Sequence, residues 1–250
     1  MSINTYLYGK NPLKEALIFG KKKSIKPIKT LFLTKASAQE DSIMSLVQAN
    51  NIAYKIITSA EIESYVGRDA VHQGVLALLD DKALYTSFEE MECIISHNDR
   101  PLLVLLDELQ DPHNVGAIIR SAVAFGADAI LMPEHNQTQI TATVIKSSSG
   151  TNFLIPIVPI GNVNTALQKL KKKGYWIYAL TRNGDTSLSS TSFDSPSIVI
   201  IGSEGKGIAK KTLEYCDFKI SIPIAPLCES LNASNAVAIT LYEWRKQQVE

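Results

Sequence analysis

A glycine-rich segment in the second half of the chain, Gly202–Gly207, carries the carboxylate Glu204. Three glycines in six residues predict a backbone that turns tightly and brings its N–H groups close to a ligand. The spacing matches neither the Gly-x-Gly-x-x-Gly dinucleotide turn nor a phosphate-binding loop that ends in Gly-Lys-Ser/Thr. A carboxylate in its middle would repel a polyphosphate, and it suits a cationic or hydroxyl-bearing ligand.

Two other polar segments have the same character. Asn114 is the predicted N-cap of a helix that also carries Arg120, and Ser230, Asn232 and Ser234 bring hydroxyl and amide groups to the head of the last helix. Each segment alone also fits a simple helix cap with a surface arginine. Caps alone do not explain why several constrained polar loops would share one edge of a sheet.

From Pro101 onward the sequence predicts apolar strands that alternate with helices, and these elements would position the polar loops. The strands are predicted at Leu102–Leu106, Ala129–Met132, Phe153–Val158, Trp176–Leu180, Ile198–Ile201 and Lys219–Ile222. The helices are predicted at Val115–Phe125, Thr141–Ser148, Val163–Lys173 and Asn232–Arg245. Strands that are apolar throughout indicate an α/β fold whose parallel sheet is covered on both faces, with ligands at the carboxyl ends of its strands.

The rest of the chain forms a smaller α/β unit. Helices are predicted at Asn11–Phe19 and Ser37–Asn50, and strands at Thr30–Thr34, Tyr54–Thr58 and Val75–Leu79. An acidic, poorly periodic segment with room for a short helix follows. The predicted organisation is therefore a domain at 1–80, a linker at 81–98 and a second domain at 99–250.

Charge is unevenly distributed along the chain. The total is zero, with 25 Lys+Arg and 25 Asp+Glu, which excludes a globally basic nucleic-acid binder. Residues 1–80 nevertheless hold 10 basic and 7 acidic residues, and residues 81–98 hold 1 and 4. Seven lysines within twenty residues suit a phosphate-facing surface, although a solvated loop explains them equally well. They are Lys10, Lys14, Lys21, Lys22, Lys23, Lys26 and Lys29.

The cysteines and the hydropathy of the sequence predict the cellular compartment of the protein. The three cysteines are widely spaced and odd in number, which argues against a disulfide framework or a zinc site and favours reduced cytoplasmic thiols. No apolar run is long enough to span a bilayer, so we expect no membrane association. No cluster of His, Cys and Asp has the spacing of metal ligands, and we expect no metal.

Three motifs in order resemble those of the SpoU-type RNA ribose 2′-O-methyltransferases of the SPOUT superfamily. The motifs are Asn114-x-Gly116-x-x-x-Arg120, Gly202-x-Glu204-Gly205-x-Gly207, and Ile222-Pro223 followed by Ser230-Leu231-Asn232-x-Ser234. The similarity covers about residues 101–245. The first domain, through Tyr8-Gly9 and Val71-His72-Gln73-Gly74, is similar to the substrate-binding domain of members that modify a guanosine of large-subunit ribosomal RNA.

The resemblance implies a trefoil knot in the second domain, a small ribosomal-protein-like first domain and a homodimer. It also implies S-adenosylmethionine as the cofactor. The implied cofactor-binding residues are Gly202, Ile222 and Leu231, with Thr181 and Ser234 beside them. Apolar walls and backbone polar groups suit adenine, and the sulfonium tolerates a carboxylate but not a lysine nearby.

The implied reaction is methyl transfer to a ribose 2′-OH, with Arg120, Asn114, Glu204 and Asn232 as catalytic residues. The matching arginine has been proposed as a general base in this family; because arginine stays protonated, stabilisation of the alkoxide is physically easier. Glu204 would orient that arginine or touch the substrate. Since a 2′-OH is required, the substrate is RNA and not DNA.

Lys10, Lys21, Lys22 and Lys23 are the predicted RNA contacts. The extra first domain favours ribosomal RNA over transfer RNA, again through the resemblance. Three alternatives remain: a transfer RNA ribose 2′-O-methyltransferase, a non-catalytic RNA-binding module that dimerises, and a nicotinamide-dependent enzyme. The last of these lacks the glycine fingerprint of its fold.

Overall fold

A computed structural model describes residues 5–23 and 26–249. The chain divides into two compact units. The first holds Met1–Tyr85 together with Ile140–Leu154, and the second holds Thr86–Gln139 and Ile155–Glu250. The first unit therefore includes a segment, Ile140–Leu154, that the sequence assigned to the second domain at 99–250.

The first unit is built on a four-stranded sheet of order β1-β4-β2-β3. Its strands are β1 (Tyr6–Tyr8), β2 (Ile28–Leu33), β3 (Tyr54–Ile56) and β4 (Val75–Leu79). Its helices are α1 (Lys10–Lys23), α2 (Asp41–Ala49), α3 (Ser59–Val66), α4 (Asp81–Leu84) and, from the later segment, α7 (Ala142–Ser147). β4 pairs antiparallel with β1 and β2, and this central place explains why its sequence is apolar throughout.

The motif at residues 71–74 is a turn that leads into β4, and it contacts the first residue of α1. The Gln73 side chain accepts a hydrogen bond from the backbone N–H of Lys10 at 3.1 Å, which caps α1. Gly74 has φ +75°, and a Cβ there would lie 2.3 Å from the Ser37 hydroxyl oxygen. The pattern that resembles the family in this domain is therefore explained by packing.

The second unit contains a seven-stranded sheet of order β7-β6-β5-β10-β8-β11-β9, and every pair in it is parallel. Its strands are β5 (Leu102–Asp107), β6 (Ala129–Pro133), β7 (Ile157–Ile160), β8 (Trp176–Leu180), β9 (Thr186–Ser187), β10 (Ser197–Gly202) and β11 (Phe218–Ser221). Its helices are α5 (Phe88–Ile95), α6 (Pro112–Phe125), α8 (Val163–Lys171), α9 (Lys210–Leu213) and α10 (Ala233–Val249). The central pair, β5 and β10, is buried at every residue, which confirms the parallel α/β prediction.

The segment predicted as a linker, 81–98, is largely a folded part of the second unit. Helix α5 begins with a capping box in which Ser87 and Glu90 exchange hydrogen bonds. Met91 is fully buried and Ile95 is 6% exposed, and both belong to the core under the large sheet. The high acid content of this segment hid the apolar positions that repeat along one helix face.

Local structure differs from the predictions at several places, of which three bear on the argument. A helix predicted at Ser37–Asn50 is interrupted, because a 3₁₀ turn at Ser37–Gln39 precedes α2. The strand predicted at Phe153–Val158 begins only at Ile157. The N-cap of α6 is Asp111, not Asn114: its carboxylate accepts the N–H of His113 at 2.9 Å and Pro112 takes the first helical position. Asn114 therefore points its amide elsewhere.

Candidate active site

A cavity of about 480 Å³ lies beyond the carboxyl ends of β8, β10 and β11. Four of the five predicted cofactor residues line it: Thr181, Gly202, Ile222 and Leu231. The fifth, Ser234, is not part of the lining. Cavities of about 300–1,000 Å³ hold most small-molecule ligands and cofactors, so this one is large enough for such a ligand.

The glycine-rich segment makes one wall of the cavity through close backbone contact. Gly207 donates its N–H to the Ser203 carbonyl at 2.8 Å and has φ +67°. A Cβ on Gly202 would lie 2.1 Å from the carbonyl carbon of Gly207, which no side chain tolerates. By contrast, a Cβ on Gly205 would meet nothing within 4 Å. The tight turn predicted from three glycines therefore depends on the first and the last of them.

Thr181, which follows β8, presents a polar atom to the cavity. Its backbone N–H bonds the Ile220 carbonyl at 2.9 Å, but its side-chain oxygen is buried and has no hydrogen-bond partner among the described residues. A buried hydroxyl without a partner costs free energy, so such groups in native proteins usually meet water or a ligand. Thr181 is thus suited to hydrogen-bond a molecule in the cavity.

Three of the predicted catalytic residues form one hydrogen-bonded cluster. Asn114 donates its side-chain amide to Glu204 Oε1 at 2.9 Å. The Asn232 amide donates to the same oxygen at 2.8 Å and to Asn114 Oδ1 at 2.9 Å. The three come from α6, the loop after β10 and the residue before α10. No ion pair of Glu204 occurs among the described residues, so its charge stays available at the cavity.

Ser234 supports this cluster indirectly. Its backbone N–H and its hydroxyl both donate to Asn232 Oδ1, at 2.9 and 2.6 Å. With Oδ1 engaged at the head of α10, the Asn232 amide nitrogen must face Asn114 and Glu204. The geometry thus gives Ser234 a part in orienting Asn232, where the sequence predicted a contact with the cofactor.

Arg120 occupies a different part of α6. It is exposed and lies six residues after the buried Asn114. In an α-helix this separation is about 9 Å along the axis and about 120° around it. The two side chains therefore do not share a face of the helix, although the sequence placed them in one motif.

Asp107, at the end of β5, is a residue that sequence reasoning missed. It is 3% exposed, pairs in register with Gly202, and accepts the N–H of Ala209 at 2.8 Å. Burial raises the pKa of Asp107, and the hydrogen bond from Ala209 partly offsets this effect. Its carboxylate ties the end of the glycine-rich segment to the sheet. The signal was present, since an acid ends a run of five apolar residues.

The structure describes the side chain of only one of the four lysines predicted to contact RNA. The Lys10 amine contacts both carboxylate oxygens of Glu40, at 2.6 and 2.8 Å, so this charge is already paired. The side chains of Lys21, Lys22 and Lys23 lie outside the described residues. Within the described ranges there is no group of three or more side chains suited to hold a metal ion, and no helix long and apolar enough to cross a membrane.

Comparison with known proteins gives the sequence context of this site. The SpoU rRNA methylase family model matches residues 101–242, and the model for RNA 2′-O ribose methyltransferase substrate binding matches residues 6–84. The 23S rRNA (guanosine-2′-O-)-methyltransferase RlmB of Pseudomonas syringae pv. tomato is 31% identical over 207 residues, which cover 83% of this chain and 82% of that protein.

Two further comparisons extend the picture. An uncharacterised tRNA/rRNA methyltransferase of Synechocystis is 37% identical over 183 residues, 73% of this chain; the chain spans about half the length of that relative, 48%. The crystal structure of the SpoU methyltransferase AviRb from Streptomyces viridochromogenes, in complex with AdoMet, shares the fold with a TM-score of 0.80. It is 23% identical, and the match covers 99% of this chain and 91% of that one. By its sequence motifs and family matches, the chain belongs to the SpoU rRNA methylase family.

Proposed function

We propose that this protein transfers a methyl group from S-adenosylmethionine to the 2′-OH of a guanosine in large-subunit ribosomal RNA. The observation that carries the proposal is the cluster of Asn114, Glu204 and Asn232 at a cavity of cofactor size. Family membership and the named activity of the Pseudomonas relative support the reaction and the ribosomal substrate.

The cavity is lined by two cationic side chains, Arg182 and Lys206, and by two carboxylates, Glu204 and Glu229, so its charges balance and its other residues fit S-adenosylmethionine. Ile222 and Leu231 offer apolar surface for adenine, and the unpartnered Thr181 hydroxyl offers a hydrogen bond. When bound, this cofactor supplies an electrophilic methyl group on a positively charged sulfur. The Glu204 carboxylate, held by two amides, favours a positive charge nearby.

The chain's own residues then have distinct parts. Asn114 and Asn232 fix the direction of the Glu204 carboxylate. Arg120 is exposed on a different face of α6 from Asn114, so it would meet the RNA from outside the cluster. Because a guanidinium remains charged throughout, it would stabilise the negative charge that develops on the 2′-oxygen or clamp the adjacent phosphate. An unactivated hydroxyl is a poor nucleophile, so this stabilisation is the main contribution the protein can make to the rate.

The proposal includes a homodimer, a cytoplasmic location and a trefoil knot in the second unit, all from the family resemblance. In the sheet, β10 lies between β5 and β8, and β11 lies on the far side of β8. Size-exclusion chromatography with light scattering tests the dimer.

The decisive test measures transfer of a labelled methyl group to ribosomal RNA, with the product mapped to a ribose. We expect transfer to RNA and none to the same sequence carrying a 2′-deoxy nucleotide at the target.

Arg120→Ala should abolish transfer and leave S-adenosylmethionine affinity within about twofold, whereas Arg100→Ala, at another exposed arginine, should retain transfer. Equal methylation of the 2′-deoxy substrate would refute the proposal, and absence of cofactor binding would favour a non-catalytic RNA-binding module.

A further inference from the structure

A second cavity, of about 230 Å³, opens at the same edge of the large sheet, beyond the ends of β5, β6 and β7. It lies beside the cofactor-sized cavity, because both are lined by one loop: Ile208 lines the first cavity and Ala209 the second. Its volume is below the roughly 300–1,000 Å³ of sites for whole small ligands. A cavity of this volume therefore suits a single aromatic ring system.

The polar lining of this second cavity is only partly used by the fold. Asp107 holds the backbone of Ala209, and Asn162 caps α8 by accepting the N–H of Thr165. Four other polar side chains have no hydrogen bond or ion pair with any described residue. They are Glu108, His135, Asn164 and Lys211, and the Oδ1 atom of Asn164 is completely buried.

Glu108 also has an unusual backbone. Its φ is +61°, in the left-handed region that side chains other than glycine rarely adopt. Such strain persists where the surrounding structure imposes it, often at functional sites. Here the strain accompanies a carboxylate that makes no ion pair with Lys211, although both side chains line the same cavity.

We propose that this second cavity binds a guanine base of the RNA substrate, with Glu108 as the specificity-determining residue. The inference rests on the proposed function. Guanine presents two adjacent donors, N1–H and the N2 amine, which one carboxylate accepts together, and its O6 and N7 accept from Lys211 and His135. Adenine and cytosine present a ring acceptor at that position, which a carboxylate repels, and uracil presents a single donor.

The first experiment replaces the guanosines of an RNA substrate one at a time by inosine, which lacks only the N2 amine. We expect kcat/KM of the wild-type protein to fall roughly tenfold to hundredfold at one position, the loss expected for a bidentate base contact. That position, the target or a neighbour, identifies the bound base. Glu108→Gln should remove the preference for guanosine there and leave S-adenosylmethionine affinity unchanged.

A matched control is Glu134→Gln, since Glu134 is an exposed carboxylate that lies between the lining residues Pro133 and His135 but does not itself line the cavity. It should keep the full preference for guanosine. Wild-type protein that methylates every inosine-substituted RNA as well as the parent, or a Glu108→Gln variant that still discriminates, would overturn the inference and leave the proposed function intact.

A binding measurement separates the two proposals. With S-adenosylhomocysteine present to fill the first cavity, guanosine monophosphate should shift NMR signals of the second cavity at lower concentration than inosine monophosphate. Glu108→Gln should make the two ligands equivalent. This result holds even if no methyl transfer is found, and equal binding of both nucleotides by the wild-type protein would overturn the inference.

Discussion

Two carboxylates, Glu40 in the first unit and Glu204 in the second, are held by different kinds of partner. Glu40 is paired with Lys10 through both oxygens. Among the described residues, Glu204 accepts hydrogen bonds from two neutral amides, those of Asn114 and Asn232. A carboxylate paired with an ammonium is neutralised locally, whereas one held by amides is oriented and keeps its charge. The first arrangement serves folding, and the second leaves charge for a ligand.

The largest effect, on S-adenosylmethionine affinity, is expected from a substitution that displaces the backbone of the loop carrying Glu204. Gly202→Ala places a Cβ 2.1 Å from the Gly207 carbonyl carbon, so the loop that carries Glu204 must move. We expect S-adenosylmethionine affinity to fall roughly a hundredfold, the upper end of the cost of overpacking. Calorimetric titration measures this loss.

Gly205→Ala is the matched control, since its Cβ would meet nothing within 4 Å. It should bind within about twofold of wild type. Equal affinities in the two variants would mean that the close approach of Gly202 and Gly207 does not shape the cavity.

The next effect isolates the charge of Glu204. Glu204→Gln keeps an oxygen that can accept from both amides but removes the negative charge. We expect roughly tenfold weaker binding of S-adenosylmethionine, because a partly solvated charge pair at about 4 Å contributes a few kcal/mol at most. S-adenosylhomocysteine, whose sulfur is neutral, should bind equally to both proteins. A parallel loss for both ligands would show that Glu204 acts through shape and not through charge.

Local patterns were sufficient for the parallel sheet, because apolar strands can be recognised one by one. The set Asn114, Glu204 and Asn232 came from the resemblance of three motifs to those of a family, and the structure brings these three side chains together. The sequence did not predict which atoms meet. Asp111 displaced Asn114 as the cap because Pro112 fixes the start of the helix. The role of Asp107 and the pairing of Lys10 with Glu40 depend on contacts between residues 102 and 30 positions apart, which periodicity does not encode.

The first unit offers a smaller, additive effect on RNA affinity. A plot of the logarithm of the RNA association constant against the logarithm of salt concentration has a negative slope. Replacing Lys21, Lys22 and Lys23 by alanine should make this slope less steep by about 2–3, the value for one phosphate contact per lysine. Lys10→Ala should leave the slope unchanged and cost at most about 1 kcal/mol of stability, because its charge is already paired near the surface. Fluorescence anisotropy with a ribosomal RNA fragment at several salt concentrations gives both slopes. A reduced slope for Lys10→Ala would show that RNA competes successfully with Glu40.

The smallest expected effect concerns thiol chemistry. Burial raises the pKa of Cys216 to about 12, whereas Cys93 and Cys228 are exposed. Because the thiolate is the reactive form and burial disfavours it at Cys216, iodoacetamide should label the exposed Cys93 and Cys228 and leave Cys216 unmodified, as peptide mass spectrometry would report. S-adenosylmethionine should slow labelling of Cys228, whose neighbour Glu229 lines the cofactor-sized cavity, and not that of Cys93. Equal protection of both thiols would indicate a general stabilisation of the fold, and labelling of Cys228 at an unchanged rate would mean that the loop before α10 does not close on the ligand.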